Sequence, residues 1–207
     1  MPGELGGIMP SREWKKINKD EPWYRGETLI TGIGQGFMTA SPLQLALATG
    51  AIANKGQLLM PQVMMHTQSR NGDIFEEQIS ESQQIPIKDI NNWELIIEAM
   101  KQTVYGRFGT AKRLNNKLQY SLAGKTGTAQ VFGLDPEEEY IAENIAEKLR
   151  DHALFTGFAP IEEPQVAIAI IVENAGSGSS KAAPLARELL DEYFIKNPIE
   201  LGASDQI

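Results

Sequence analysis

Tyr120-Ser121-Leu122-Ala123-Gly124-Lys125-Thr126-Gly127-Thr128-Ala129-Gln130-Val131 decides how this chain is read. The stretch reads as a β-strand carrying Lys-Thr-Gly-Thr in its middle. A cationic Lys125 beside two hydroxyls, Thr126 and Thr128, suits a ligand that lies alongside the strand and ends in a carboxylate. Gly127 has no side chain and lets the ligand backbone come close. Such a ligand would bind by strand addition to a sheet edge, with main-chain hydrogen bonds supplying affinity. If a carbonyl carbon were attacked there, the Thr128 N–H would help hold the developing oxyanion, a donor worth about 3 kcal/mol of barrier. The plain alternative is an exposed strand without a ligand. A phosphate loop is a poorer fit: Gly124-Lys125-Thr126 ends like one, but Gln119 stands where that motif needs glycine, and Ala129-Gln130-Val131-Phe132 reads extended rather than helical.

Downstream, 135–150 is acidic and helical in character, and its charge reads as a solvated face. His152 to Phe158 reads as a strand, as does Gln165 to Glu173, whose core Val166 to Val172 is apolar on both faces and is expected in the middle of a covered sheet. The short connection between these two strands makes them antiparallel neighbours, and the chain offers 166–172 no second obvious partner, so an open sheet edge is expected there. After a Gly176-Ser177-Gly178-Ser179-Ser180 connection, read as flexible, Pro184 to Phe194 forms an amphipathic helix that covers the sheet. The unit expected over 120–195 is therefore a three-strand sheet plus a C-terminal helix.

Upstream, 1–40 shows no sustained period and reads as ordered loop with short elements, its Trp14 and Trp23 serving as packing anchors. Gly32-Ile33-Gly34-Gln35-Gly36 fails the dinucleotide fingerprint and reads as a tight turn. Ser41-Pro42 starts a helix, with a hydroxyl cap and proline at the first position, that is apolar around most of its circumference and is expected to be buried. A β-hairpin is expected within 57–80, turning at Asn71-Gly72. Asn91 to Tyr105 is an amphipathic helix, with Trp93, Ile96, Ile97, Met100 and Val104 on one face and a capping box from Asn91 to Glu94. A short helical turn through Gly109-Thr110-Ala111 follows, and both elements read as scaffold.

The 207 residues are 42% hydrophobic and 22% charged, ordinary for a folded domain, and the fold class is α+β: an antiparallel sheet with covering helices. A net charge of −8 without a basic stripe argues against nucleic acid as a partner. Absent cysteine excludes disulfides, and two histidines give no metal-ligand cluster, so no metal is expected. No apolar run approaches the length of a membrane span, nor is there a signal pattern, so any anchor would lie outside this chain. His152, at the start of a strand, reads as a structural hydrogen-bonding group rather than a base.

Several spaced segments resemble the class B penicillin-binding proteins of the elongation type, the penicillin-binding protein 2 group: Ser11-Arg12-Glu13-Trp14-Lys15, Pro22-Trp23-Tyr24-Arg25-Gly26, Gly32-Ile33-Gly34-Gln35-Gly36, Ala123 to Gln130, and Leu149-Arg150-Asp151-His152-Ala153-Leu154-Phe155. The resemblance covers almost the whole chain, 1–207, as a C-terminal part of the transpeptidase domain. It implies the C-terminal half of the β-lactamase/transpeptidase-like fold and a serine D,D-transpeptidase that cross-links peptidoglycan stem peptides ending in D-Ala-D-Ala and is acylated by β-lactams. By the same resemblance, Lys125 is the catalytic residue present, with Lys125, Thr126, Gly127 and Thr128 binding substrate. No cofactor is implied; implied partners are the remaining N-terminal part of the domain and cell-wall elongation proteins, and the implied location is the outer, periplasmic face of the cytoplasmic membrane.

The chain departs from the family in two of its motifs. Ser-x-x-Lys, which supplies the nucleophile, occurs nowhere: Ser11 is followed at the third position by Trp14, Ser41 by Gln44, Ser177 by Ser180. Ser69-Arg70-Asn71 matches Ser-x-Asn but falls at the expected hairpin tip, where such residues serve the turn. Two of the three family motifs are therefore expected before Met1, and this chain alone is expected to be inactive. The competing reading is a non-catalytic fragment or degenerate paralogue that binds a peptide or partner at its sheet edge.

Overall fold

Local capping chemistry starts the first helices. Ser11 Oγ accepts a hydrogen bond from the Trp14 N–H at 3.0 Å and opens α1, Arg12–Lys19. Glu27 reaches back to the Tyr24 N–H at 2.7 Å at the start of α2, Arg25–Gly32. Ser41 accepts from the Gln44 N–H while Gln44 returns a bond to the Ser41 N–H, a full capping box with Pro42 at the first position of α3, Pro42–Ala53. The computed structural model describes residues 3–64, 66–76, 82–131 and 145–199, and the chain divides into two units, Met1–Ile97 and Glu98–Ile207.

In the first unit, the region expected to be loop with short elements carries two eight-residue helices. They are tied together by Lys15, which is 1% exposed. Its ammonium lies 2.5 Å from Glu27, 3.3 Å from Glu21 and 4.3 Å from the centre of the Tyr24 ring. A buried lysine is tolerable only with such partners, and two carboxylates and an aromatic face supply them. Trp14 packs on Phe37 at 5.3 Å. The apolar helix α3 is less covered than expected: Thr49, Ala51 and Ala53 are buried, but most of the rest is half-exposed. Its apolar circumference exceeds what the surrounding short elements shield.

Strand β1, Gln57–Leu58, pairs with β4, Gln83–Gln84, and β2, His66–Gln68, with β3, Ile74–Glu76, both antiparallel. The turn between β2 and β3 is longer than a two-residue one. The Gly72 N–H donates to Ser69 O at 3.0 Å, the Ser69 N–H to Asp73 O at 2.8 Å, and of Asn71 and Gly72 the glycine alone takes a positive φ, +93°. That is a type I turn closed by a left-handed residue. Ser69 Oγ accepts from the Asp73 N–H at 3.1 Å, so this serine is occupied by the turn. Helix α4, Asn91–Tyr105, is capped by Asp89 rather than by a box from Asn91 to Glu94: Asp89 Oδ1 accepts from the Asn91 N–H at 3.0 Å. Glu94 instead pairs with Lys55 at 2.6 Å.

The second unit is built on three antiparallel strands in the order β5, Ala123–Ala129; β6, His152–Ala159; β7, Val166–Val172. Directly paired residues share a face of the sheet. Ala153, Phe155 and Ala159 of β6 point to one face with Val166, Ile168, Ile170 and Val172 of β7, and there they meet Ala182, Ala183, Ala186 and Leu190 of α5, Ala182–Lys196. Among the described residues the doubly apolar β7 pairs with β6 alone, and β6 takes the centre. All seven β7 residues are half-buried, so the cover expected on both its faces is incomplete in this chain. The segment 135–150 falls largely outside the described residues; its end forms a short 3₁₀ turn, Glu147–Leu149. The turn expected through Gly109-Thr110-Ala111 begins instead at Lys112, as a 3₁₀ turn over Lys112–Asn115.

The Gly176 to Ser180 connection is held rather than loose. Gly176 and Gly178 are buried, the Gly176 N–H donates to Asp151 O at 2.8 Å, and Gly178 O accepts from the Ala183 N–H at 2.9 Å. Gly178 lies directly over the Gly127–Leu154 pair: a Cβ there would stand 2.3 Å from both Gly127 O and Leu154 O.

Candidate functional site

The Lys-Thr-Gly-Thr segment occupies the middle of β5, which pairs with β6 along one edge only among the described residues. Register sets the two sides of the strand. Thr126 and Thr128 oppose Phe155 and Ala153 on the face that receives α5, whereas Lys125 and Gly127 oppose Thr156 and Leu154 on the other face. Lys125 and Thr128 are exposed, Thr126 and Gly127 half-buried. The Lys125 ammonium donates to the Thr126 carbonyl at 2.7 Å, lying back along its own strand. All four predicted residues thus sit on one accessible stretch.

Three side chains bolt the lead-in of this strand. The Leu122 N–H donates to the Tyr105 hydroxyl of α4 at 3.1 Å. Ser121 Oγ accepts from the Ile161 N–H at 2.7 Å and donates to Glu162. The Tyr120 hydroxyl donates to Asp191 of α5 at 2.8 Å. Burial, with the neighbouring Asp191 carboxylate, pushes the Tyr120 phenol well above the ordinary tyrosine value, so it stays a hydrogen-bond donor throughout the physiological range. Asp191 also receives Arg187 Nε at 2.6 Å, and the same guanidinium donates to the carbonyls of Leu114, Asn116 and Lys117 in the segment that leads into β5. One arginine therefore ties α5 to the approach of the candidate strand.

Beside β5 lies a cleft of about 420 Å³ lined by Lys125 together with Gln102, Thr103, Arg107, Phe108 and Thr110. Thr110 was not singled out by the sequence, which reads Gly109-Thr110-Ala111 as scaffold. Its hydroxyl lies 2.8 Å from the Thr126 hydroxyl, and either can donate. A second cleft, of about 640 Å³, opens on the other side of Thr110, with Lys112, Arg113, Ser179 and Ser180 in its walls.

His152 starts β6 opposite Ala129, at the far end of the candidate strand. Its Nδ1 accepts from the Asn174 N–H at 2.9 Å, which leaves the proton of the neutral ring on Nε2 and gives the side chain a turn-holding role. The neighbouring Asp151 is 6% exposed, and burial raises its carboxyl above the ordinary aspartate value even though the Val131 N–H bonds it. His66 is exposed on β2. Among the described residues no three His, Asp or Glu side chains gather as a metal site would require, and no helix is long and apolar enough to cross a membrane.

The chain was compared with known proteins. The family profile of the penicillin binding protein transpeptidase domain matches residues 1–191. Peptidoglycan D,D-transpeptidase MrdA of Escherichia coli K12 is 41% identical over 213 residues, a match that covers 98% of this chain and 33% of that protein. The protein of the same name from Haemophilus influenzae is 38% identical over 92% of this chain and 29% of its own length. Among solved structures, Pseudomonas aeruginosa PBP2 in complex with WCK 5153 superposes with a TM-score of 0.78 at 40% identity, over 98% of this chain and 41% of that one. Helicobacter pylori PBP2 in complex with MreC gives 0.76 at 29% identity, over 95% and 32%. The chain thus spans about a third of the length of the curated relatives it matches. A profile match over nearly the whole chain and relatives at about 40% identity place it, as a member, in the penicillin-binding-protein transpeptidase family.

Proposed function

We propose that this chain is the C-terminal portion of a peptidoglycan D,D-transpeptidase and forms one wall of its active site. The observation that carries the reading is the Lys-Thr-Gly-Thr segment on a strand with one edge unpaired among the described residues, Lys125 lining the cleft beside it. A stem peptide ending in D-Ala-D-Ala lies antiparallel or parallel to that edge, its carboxylate near Thr126 and Thr128 and its backbone close over Gly127. A serine from the preceding part of the domain attacks the carbonyl of the penultimate residue. The terminal D-Ala leaves as the amine, and an amine of a second stem peptide then displaces the serine. The Thr128 N–H holds the oxyanion in both steps, and Lys125 supplies positive potential to the serine and the carboxylate. A β-lactam enters the same place as an acylating analogue. In this reading the edge of β7 that is unpaired among the described residues is covered by the start of the same domain, and the protein works at the outer face of the cytoplasmic membrane with cell-wall elongation proteins as partners.

Labelling with a fluorescent penicillin tests the reading. The 207-residue chain alone should form no covalent adduct, and a labelled band at its size would overturn the claim that its nucleophile lies elsewhere. In the intact transpeptidase, Lys125→Ala should lower the acylation rate by about a hundredfold or more, the loss typical of removing one charge that acts on the transition state. An unchanged rate would remove Lys125 from the site.

A further inference from the structure

Thr126 cannot serve an anion and Thr110 in any arbitrary way, because a hydroxyl has one hydrogen to give and two lone pairs to accept with. In the structure the two hydroxyls are 2.8 Å apart with the direction of the bond open. Once a carboxylate lies against Thr126, the Thr126 hydrogen is required by the anion, and the bond between the threonines survives only with Thr110 as donor. We propose that Thr110 is a positioning residue for carboxylate recognition, donating to Thr126 so that Thr126 presents its own hydrogen to the ligand. This rests on the reading of Thr126 as a carboxylate ligand and adds a residue and a direction to it.

The placement of Thr110 supports that role. It stands in a turn clamped to the end of α4: the Gly106 N–H donates to Gln102 O at 2.9 Å, the Gly109 N–H to Gly106 O at 3.0 Å, and the Ala111 N–H to Thr103 O at 3.0 Å. Gly109 is pressed onto the same helix end, since a Cβ there would stand 2.3 Å from Thr103 O and 2.7 Å from Gln102 O. Ala111, 2% exposed, anchors the other side of Thr110. The hydroxyl is thus carried by backbone already bonded to a 15-residue helix rather than by a free loop, and it lines the cleft that Lys125 also lines. The two hydroxyls and the anion then form a chain in which each bond polarises the next, a stronger arrangement than Thr126 acting alone.

Stopped-flow acylation of the intact transpeptidase separates the pre-acylation dissociation constant from the saturating acylation rate. The probes are a penicillin with its ring carboxylate free and the same compound as its methyl ester. Because the bond to the carboxylate exists both before and during reaction, Thr110→Val should raise the dissociation constant for the free acid about fivefold while the saturating rate stays within about twofold. The methyl ester should be bound equally by both proteins, and Thr110→Ser should restore the wild-type value. Equal loss on acid and ester, or a change below twofold on the acid, overturns the inference. Thr126→Val separates the two layers of the argument. If it too shows no loss specific to the acid, the carboxylate reading fails and this inference with it. If it shows that loss and Thr110→Val does not, this inference alone fails. Should Thr110→Val fold poorly, Thr110→Ala, which also lacks the hydroxyl, takes its place in the same comparison, with the same outcomes.

Discussion

Replacing Gly178 by alanine probes the contact that presses the 176–180 connection onto the candidate strand. The added methyl would stand 2.3 Å from two carbonyl oxygens, those of Gly127 and Leu154, and 3.1 Å from the Gly127 nitrogen. All three atoms belong to the β5–β6 ladder, so none is the yielding tip of a side chain. The glycine's φ lies outside the left-handed region, so the whole effect is steric. Relief requires the connection to lift by about 1 Å, at a cost of about 1–3 kcal/mol for overpacking. Lifting also strains its two ties, Gly176 N–H to Asp151 O and Ala183 N–H to Gly178 O, each worth about 1 kcal/mol. Together these come to about 3–5 kcal/mol if both ties are lost, a fall in thermal midpoint of about 6–20 °C for a chain of this length. Gly176→Ala is the matched control: its φ is +82° but open space surrounds it, so it pays only the left-handed backbone cost of about 1–2 kcal/mol. Thermal unfolding by circular dichroism of both variants checks the argument. A midpoint for Gly178→Ala no lower than that of Gly176→Ala would refute it.

Arg187→Met should destabilise by about 2–3 kcal/mol, because it strips the donors from three carbonyls in 114–117 and from Asp191; the 41% exposure of the Asp191 side chain keeps the loss below that of a fully buried pair. Arg187→Lys should recover less than half of it in urea titrations, since one ammonium cannot span a fork of four acceptors, and full recovery would show that charge alone suffices. In the first unit, the hydrogen bond from Lys15 and that from the Tyr24 N–H hold the Glu27 carboxyl below its ordinary value of 4.5. A depressed carboxyl contributes stability above that ordinary value and loses it as pH falls through the folded one. Glu27→Gln should therefore be less stable than wild type at pH 7, with the gap closing toward pH 3; a gap that stays constant would exclude the pair as the cause.

Much of the local structure was legible because it depends on near neighbours. Ser41-Pro42 caps and starts a helix through bonds spanning three residues, and Trp93, Ile97, Met100 and Val104 are buried one helical turn after another, although Ile96 of the same expected face is exposed. The α+β class likewise follows from a strand-forming stretch, two more strands and an amphipathic helix read in order. Apolarity was a poorer guide to cover. Val166 to Val172 is apolar on both faces yet half-buried, with β6 its one partner among the described residues, and α3 is apolar nearly all round, yet half-exposed. A glycine- and serine-rich connection looked loose in composition but is fastened, because absent side chains are what allow it to lie on the sheet.

By itself the sequence determined that a strand lies within Tyr120 to Val131, the kinds of element around it and membership of a transpeptidase family, since motif chemistry and hydrophobic period are both local in the chain. Tertiary structure alone decided which groups meet. The Lys15 ammonium finds Glu27, the Thr110 hydroxyl finds Thr126 across 16 residues, and Arg187 reaches back 73 residues to Leu114. Only there do Lys125 to Thr128 lie on one accessible strand beside a cleft, with the Thr110 hydroxyl against Thr126, Gly178 over Gly127 and an arginine holding the approach. Bonds over such separations depend on the order in which strands pair and the face on which α5 lands, and no periodicity along the chain records either.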